Sequence, residues 1–213
     1  QFIIKILDFC LDNWATINIG FSAKRFEHPE KLNANAGLFR SSKVIFSSEW
    51  IAYLLMRNDE EVTNAFLAAL GHELAHKEKY IPPYLHLFSV KFVAWVNEVY
   101  ADFLSENKFL HGNRQLLLNS MNFKRSKKGE DKDDRLHPSW KRRIHYAENF
   151  ETFDEKLIRQ IAKDARCKNK KLIQKVIDHY TKWRSLPARN GRGIFFAIDS
   201  FTILNTYNVF FER

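Results

Sequence analysis

In the stretch AALGHELAHKEKY, residues 68–80, two imidazoles stand four positions apart and a carboxylate directly follows the first: His72, Glu73 and His76. Four positions is close to one helical turn, so on a helix both histidines share a face and can reach one ion, for zinc at about 2.0–2.1 Å from each nitrogen. Glu73 would then point along the adjoining cleft wall, placed to take a proton from a water at that ion. The competing reading is a surface helix whose charges are simply solvated. A third ligand separates the two.

That ligand is sought in VKFVAWVNEVYADFLSE, residues 90–106. Phe92, Trp95, Val99 and Phe103 recur at helical spacing and predict an inward face. Glu98 and Asp102 lie one turn apart on the same helix. A carboxylate at Glu98 completes a His-His-Glu site with its fourth position open to water, as a catalytic zinc requires. Asp102 could accept the other ring N–H of His72 or His76, fixing its tautomer and raising its basicity. Taken alone, this is a half-exposed helix with two unrelated acids; the coincidence of both helices weakens that account.

These residues resemble the gluzincin metallopeptidases, the group of HtpX, the CAAX prenyl endopeptidases, Oma-type mitochondrial proteases and soluble minigluzincins. The resemblance covers about half the chain. It begins at NANAGLFRSSKVIFSSEWI, similar to the family's Asn-Ala-rich turn followed by a strand and a helix, and runs through NDEEVTNAFLAALGHELAH. It resumes at NEVYADFLS, similar to the E-x-x-x-D helix, and at HPSWKRRI, similar to a His-Pro segment with a following Arg-Ile. The resemblance implies His72, His76 and Glu98 as ligands of one Zn²⁺, Glu73 as general base and Asp102 behind the ligands. It also puts His137 near the active site, as an oxyanion donor or a brace for a cleft loop, with Arg143 as electrostatic support. The alternative for that pair is a helix-entry histidine and an arginine paired with a nearby acid. KVIFSS, residues 43–48, is by the same resemblance the edge strand that holds an extended peptide by main-chain hydrogen bonds. Its alternative is an internal strand that only supports the zinc helix. In membrane-embedded relatives, spanning segments separate the two zinc helices, whereas residues 77–97 are too few for two spans of about 20 apolar residues. The chain is therefore more similar to the soluble, minimal members.

The elements that must position the site are legible around it. Asn58 with Glu61 reads as a capping box, Val62, Ala65, Phe66, Ala69 and Leu70 form an apolar stripe, and Pro82-Pro83 ends the helix beyond Tyr80. With 213 residues, 45% of them hydrophobic and 15% aromatic, the chain can bury a sizeable core in one soluble domain. The expected class is α+β: a mostly helical, zincin-like metallopeptidase domain with a small β-sheet over residues 1–150, and a helical basic C-terminal extension, 151–213, packed on the same domain. Cys10 and Cys167 match no zinc spacing and no disulfide framework, which fits packing in a reducing compartment and a cytoplasmic location. Neither terminal Phe-rich stretch reads as a membrane span. The chain opens on Gln, so an upstream signal or anchor stays open.

The net charge of +9 is local in origin. Residues 124–145 hold nine Lys or Arg against four acids, and residues 156–192 twelve against two, so everything else sums to −6. KRSKKGEDKDDR, about 124–135, lacks apolar residues and is expected to be a mobile charged loop. EKLIRQIAKDARCKNKKLIQKVIDHYTKW instead carries Leu157, Ile161, Leu172, Val176 and Ile177 at helical spacing, predicting one or two basic amphipathic helices. Their outer face is either simply solvated or a docking surface for a polyanion, nucleic acid or anionic lipid. The functional expectation is a zinc metalloendopeptidase that hydrolyses peptide bonds through a zinc-activated water with Glu73 as base. The second expectation is a nucleic-acid or anionic-membrane-surface binding protein with a structural or idle zinc site.

Overall fold

The computed structural model describes residues 2–12, 16–20, 34–36, 43–57, 59–78, 89–127 and 131–184. In chain order these form helix α1 (Phe2–Asp12), strands β1 (Thr16–Gly20), β2 (Ala34–Ala36) and β3 (Lys43–Ser47), and helices α2 (Ser48–Arg57), α3 (Glu60–Glu78) and α4 (Val90–Leu104). A π-helical turn, Ser105–Phe109, extends α4 and leads to α5 (Arg114–Lys127), α6 (Trp140–Asn149), α7 (Glu155–Asp164) and α8 (Lys170–Arg184). The class is helix-rich α+β, as the sequence leads one to expect.

The three strands form one sheet in the order β1-β3-β2, with β1 parallel and β2 antiparallel to β3. Val44 and Phe46 alternate inward and are fully buried, while Ile45 between them faces out. Two expectations are corrected here. Residues 34–36 of the Asn-Ala-rich segment are strand rather than turn, and KVIFS is the middle strand rather than an edge, because β1 and β2 take both of its sides. The outer strand that packs beside α3 is β2.

Helix α3 begins one residue later than the sequence reading places it. The Asp59 carboxylate, not Asn58, accepts from the Val62 backbone N–H at 2.9 Å, so the third helical position is Val62 and Glu61 closes no capping box. Asn58 itself lies outside the described residues. Val62, Ala65, Phe66, Ala69 and Leu70 are buried as expected, and Phe66 stacks on Phe46 with centroids 4.2 Å apart. Gly71 sits mid-helix because the π-turn comes in against it: an added Cβ would lie 2.7 Å from Ser105 Oγ and 3.1 Å from Phe109 Cβ.

Helix α4 is the hub. Its Phe92, Trp95, Val99 and Phe103 are buried in one cluster with Leu157, Ile161, Leu172, Val176 and Ile177, so α7 and α8 share a core with the helix that carries Glu98. Its Ala101 belongs to the second cluster, built on α3 and the sheet. The basic stretch is thus two amphipathic helices; residues 185–192, and the Phe-rich C-terminal stretch after them, lie outside the described residues.

The expected charged loop at about 124–135 holds as irregular backbone over 131–135, residues 128–130 lie outside the described residues, and the rest is helix. Lys124–Lys127 is the last turn of α5, and the acids from Asp131 onward bind backbone N–H groups. Ordering comes from unsatisfied helix donors rather than from core burial. Among the described residues no helix is long and apolar enough to cross a membrane.

Candidate metal centre

Helix α3 presents His72 and His76 on one face, and α4, packed against it, presents Glu98 between them. The two Nε2 atoms are 3.0 Å apart; Glu98 Oε2 lies 3.3 Å from that of His72 and Oε1 3.3 Å from that of His76. One donor atom from each residue falls within 4.8 Å of the other two, so the group could hold a single metal ion. All three side chains are half-buried, which leaves one side of the cluster open.

The surroundings fit a cation. Asp102 Oδ1 lies 2.9 Å from His72 Nδ1, which makes Nδ1 the donor, so that the proton a metal would displace is the one on Nε2, facing the cluster. Arg143, on α6, grips Asp102 from behind: Nε donates to Oδ2 at 2.8 Å and Nη2 donates to Oδ1. Its Nη1 also lies 3.4 Å from Glu98 Oε2. Burial and Arg143 both oppose charge on the His72 ring, yet Asp102 and Glu98 outweigh them and hold its pKa up at about 9. Burial likewise opposes charge on Glu98 and Asp102. His72 and His76 hold the Glu98 carboxyl well below the usual range, and Arg143 with His72 holds Asp102 low. The pocket therefore keeps its carboxylates ionised and favours positive charge at His72.

Arg143 owes its position to the charged segment before it. Asp131 accepts from the backbone N–H groups of Trp140 and Lys141 at 2.7 and 2.9 Å, and Asp133 accepts from that of Ser139 at 2.9 Å. Ser139 Oγ caps the Arg142 N–H, and Arg142 returns its guanidinium to Asp133 at 2.8 Å. Four donors at the start of α6 are satisfied in this way, and the helix is aimed so that Arg143 enters the interior beside the Trp140 ring, 4.3 Å from its centroid.

His137 stands at the rim. Its backbone N–H donates to Asp134 Oδ1 at 2.6 Å, its Nδ1 lies 3.3 Å from Asp134 Oδ2, and its Nε2 comes within 3.9 Å of Glu98 Oε1. It neighbours the cluster without belonging to it. Glu73 is half-buried on α3, and its charge acts on both Arg143 and Lys124.

Lys124 and the aspartates at 131, 133 and 134 are site residues that sequence reasoning missed. Lys124 lines a cavity of about 20 Å³ behind the cluster with His72, Asp102, Trp140 and Arg143. Burial pushes its pKa down to about 8 against the pull of Glu73, and its ammonium lies 5.8 and 5.3 Å from the Trp50 and Trp140 rings. The signal was present in the periodicity: Leu117 and Met121, both buried, place Lys124 next on the same helix face.

Comparison of the chain with family models, with curated protein sequences and with solved structures gave no match.

Proposed function

We propose that the chain is a zinc-dependent metalloendopeptidase. The observation that carries this reading is the convergence of His72 Nε2, His76 Nε2 and the Glu98 carboxylate on one point, with Glu73 next to the first ligand on the same helix. Two imidazoles and one carboxylate suit zinc, and three protein ligands leave the open position of a catalytic rather than a structural site.

Zinc held by these three residues supplies a Lewis acid that polarises the scissile carbonyl and lowers the pKa of a water. The chain's own groups do the rest. Glu73 takes the water's proton and passes it to the leaving amine. Asp102 keeps the His72 proton on Nδ1, and Arg143 compensates the buried Asp102 charge so that the tautomer stays fixed. His137, oriented by Asp134 and with Nε2 3.9 Å from Glu98 Oε1, would be the donor to the oxyanion of the tetrahedral species. An extended peptide would pair with the outer side of β2, the strand beside α3.

The test is cleavage of an unstructured protein such as casein by the purified chain carrying one zinc, with and without chelator. Cleavage that stops with chelator and returns with zinc is expected. A fully zinc-loaded chain that leaves the substrate intact would remove the peptidase reading.

A further inference from the structure

The corner between α7 and α8 carries positive charge that the fold does not use. Lys163, Arg166, Lys168, Lys170, Lys171 and Lys175 are all exposed, and among the described residues none of them makes an ion pair. The one acid in that run, Asp164, is already engaged by Tyr146 Oη at 2.7 Å, Gln160 at 3.1 Å and Arg142 at 3.3 Å.

Two of these placements run against local helix energetics. α7 ends in a Schellman motif: the Cys167 N–H donates to the Ala162 carbonyl at 2.8 Å and the Arg166 N–H to that of Lys163 at 3.0 Å. Arg166 occupies the left-handed position of that motif, with φ 60°, where glycine is favoured and a Cβ is strained. At the start of α8, Asn169 caps the Leu172 N–H at 3.0 Å, and Lys170 and Lys171 follow directly. The positive end of a helix favours acids there, so two lysines are electrostatically misplaced. An isolated fold gains nothing from either choice. A bound polyanion reverses the sign of both.

The nature of the anion follows from what is missing beside the charge. Every exposed large apolar residue among the described ones lies at or before Leu136, so the described side chains of the α7–α8 corner, residues 163–175, offer no ring for a base to stack on and no wedge to enter a bilayer. A basic cluster usually needs a second, apolar signal to hold a membrane surface, whereas a duplex presents about one phosphate charge per 1.7 Å of axis to cations alone. We propose that the α7–α8 corner is a docking surface for the phosphate backbone of duplex nucleic acid, bound without reading base sequence. It is separate from the metal centre and does not depend on peptidase activity.

The experiment is fluorescence anisotropy of the full chain with a labelled 20-base-pair mixed-sequence duplex, run beside vesicles containing 30% phosphatidylserine. Binding to the duplex at 25 mM salt is expected, falling roughly 10³-fold between 50 and 200 mM, as counterion release from about six neutralised phosphates requires. Arg166→Gly and the double variant Lys170→Ala/Lys171→Ala should each weaken it about 3- to 10-fold and flatten the salt slope, by roughly one unit per lost contact. Arg166→Gly should melt no lower than wild type, since glycine relieves the backbone, and this separates lost binding from lost folding. Absence of duplex binding at 25 mM salt overturns the proposal. So does unchanged binding by both variants, or capture by the vesicles without capture by the duplex.

Discussion

Arg143 and Asp102, 41 positions apart, meet as a two-point fork in the interior, Nε to Oδ2 at 2.8 Å and Nη2 to Oδ1. Asp102 in turn holds His72 Nδ1, so the orientation of one ligand depends on a residue that would touch no metal. Removing Arg143 strands a buried carboxylate. Arg143→Met should therefore cost about 3–5 kcal/mol in the metal-free protein, by urea denaturation. The double variant Arg143→Met/Asp102→Asn should recover much of that, because no charge is left uncompensated. A single-variant loss below about 1 kcal/mol would show that the fork is not holding the site.

Glu73→Gln keeps size and hydrogen bonding but removes the proton acceptor. Zinc content and thermal stability should stay near wild type, since His72, His76 and Glu98 are untouched, while peptide hydrolysis falls at least about 10²-fold. Glu98→Ala should behave differently and lose zinc together with activity. Unchanged turnover in Glu73→Gln removes the residue from the mechanism.

Gly71 tests the junction of α3 with the π-turn. Alanine there gains up to about 1 kcal/mol of helix propensity but must displace Ser105 Oγ, 2.7 Å away, and press on Phe109 Cβ at 3.1 Å. Overpacking of this kind typically costs about 1–3 kcal/mol, so the net change in melting should be downward. Adding Ser105→Ala should restore part of it. A Gly71→Ala protein that melts higher than wild type would mean the turn yields freely.

The cap of α6 sets an acid limit. Burial opposes the charge on Asp133, but Arg142 and the Ser139 N–H outweigh it and bring its carboxyl down to about 2 from 3.8. A carboxylate whose folded pKa is depressed adds stability that is complete above its unfolded value and disappears as pH falls through the folded one. Because Asp133 is exposed, solvent screening cuts what the shift is worth, and the wild type should lose on the order of 0.5–1 kcal/mol between pH 4 and 2 through this group. Asp133→Asn should lack that portion of the acid transition. Superimposable wild-type and Asp133→Asn stability profiles from pH 5 to 2 would rule it out.

Helical periodicity made the two site helices legible, because the four-residue spacing of His72 and His76, and of Glu98 and Asp102, puts each pair on one face, even though both helices are buried on more than one side. Strand order was not legible: β2 is three residues long, and pairing across more than one neighbour depends on register that no local pattern encodes. Residues 131–135 are irregular as expected, but they are held in place rather than mobile. Composition registers their lack of apolar residues, whereas their order comes from Asp131 and Asp133 matched to the free N–H groups of Ser139, Trp140 and Lys141 at the start of α6, a match visible only once the helix start is known. Lys124 opens the same run of apolar-poor sequence, although its spacing from Met121 continues the inward face of α5.

Asp131 and Asp133 fasten the first turn of a helix only ten residues long, and Arg143 rides on that turn. Opening of α6 as a local cooperative unit would therefore unlatch Asp102, and with it His72, without unfolding α3 or α4. Linkage makes the relation reciprocal: whatever factor closure of α6 adds to metal affinity, metal adds to closure. Amide hydrogens of α6 should exchange more slowly when zinc is present, even though the helix contributes no ligand, and the slowing should vanish in Asp102→Asn. The metal centre would in that case report, through a single arginine, on whether a segment of three aspartates has found its helix.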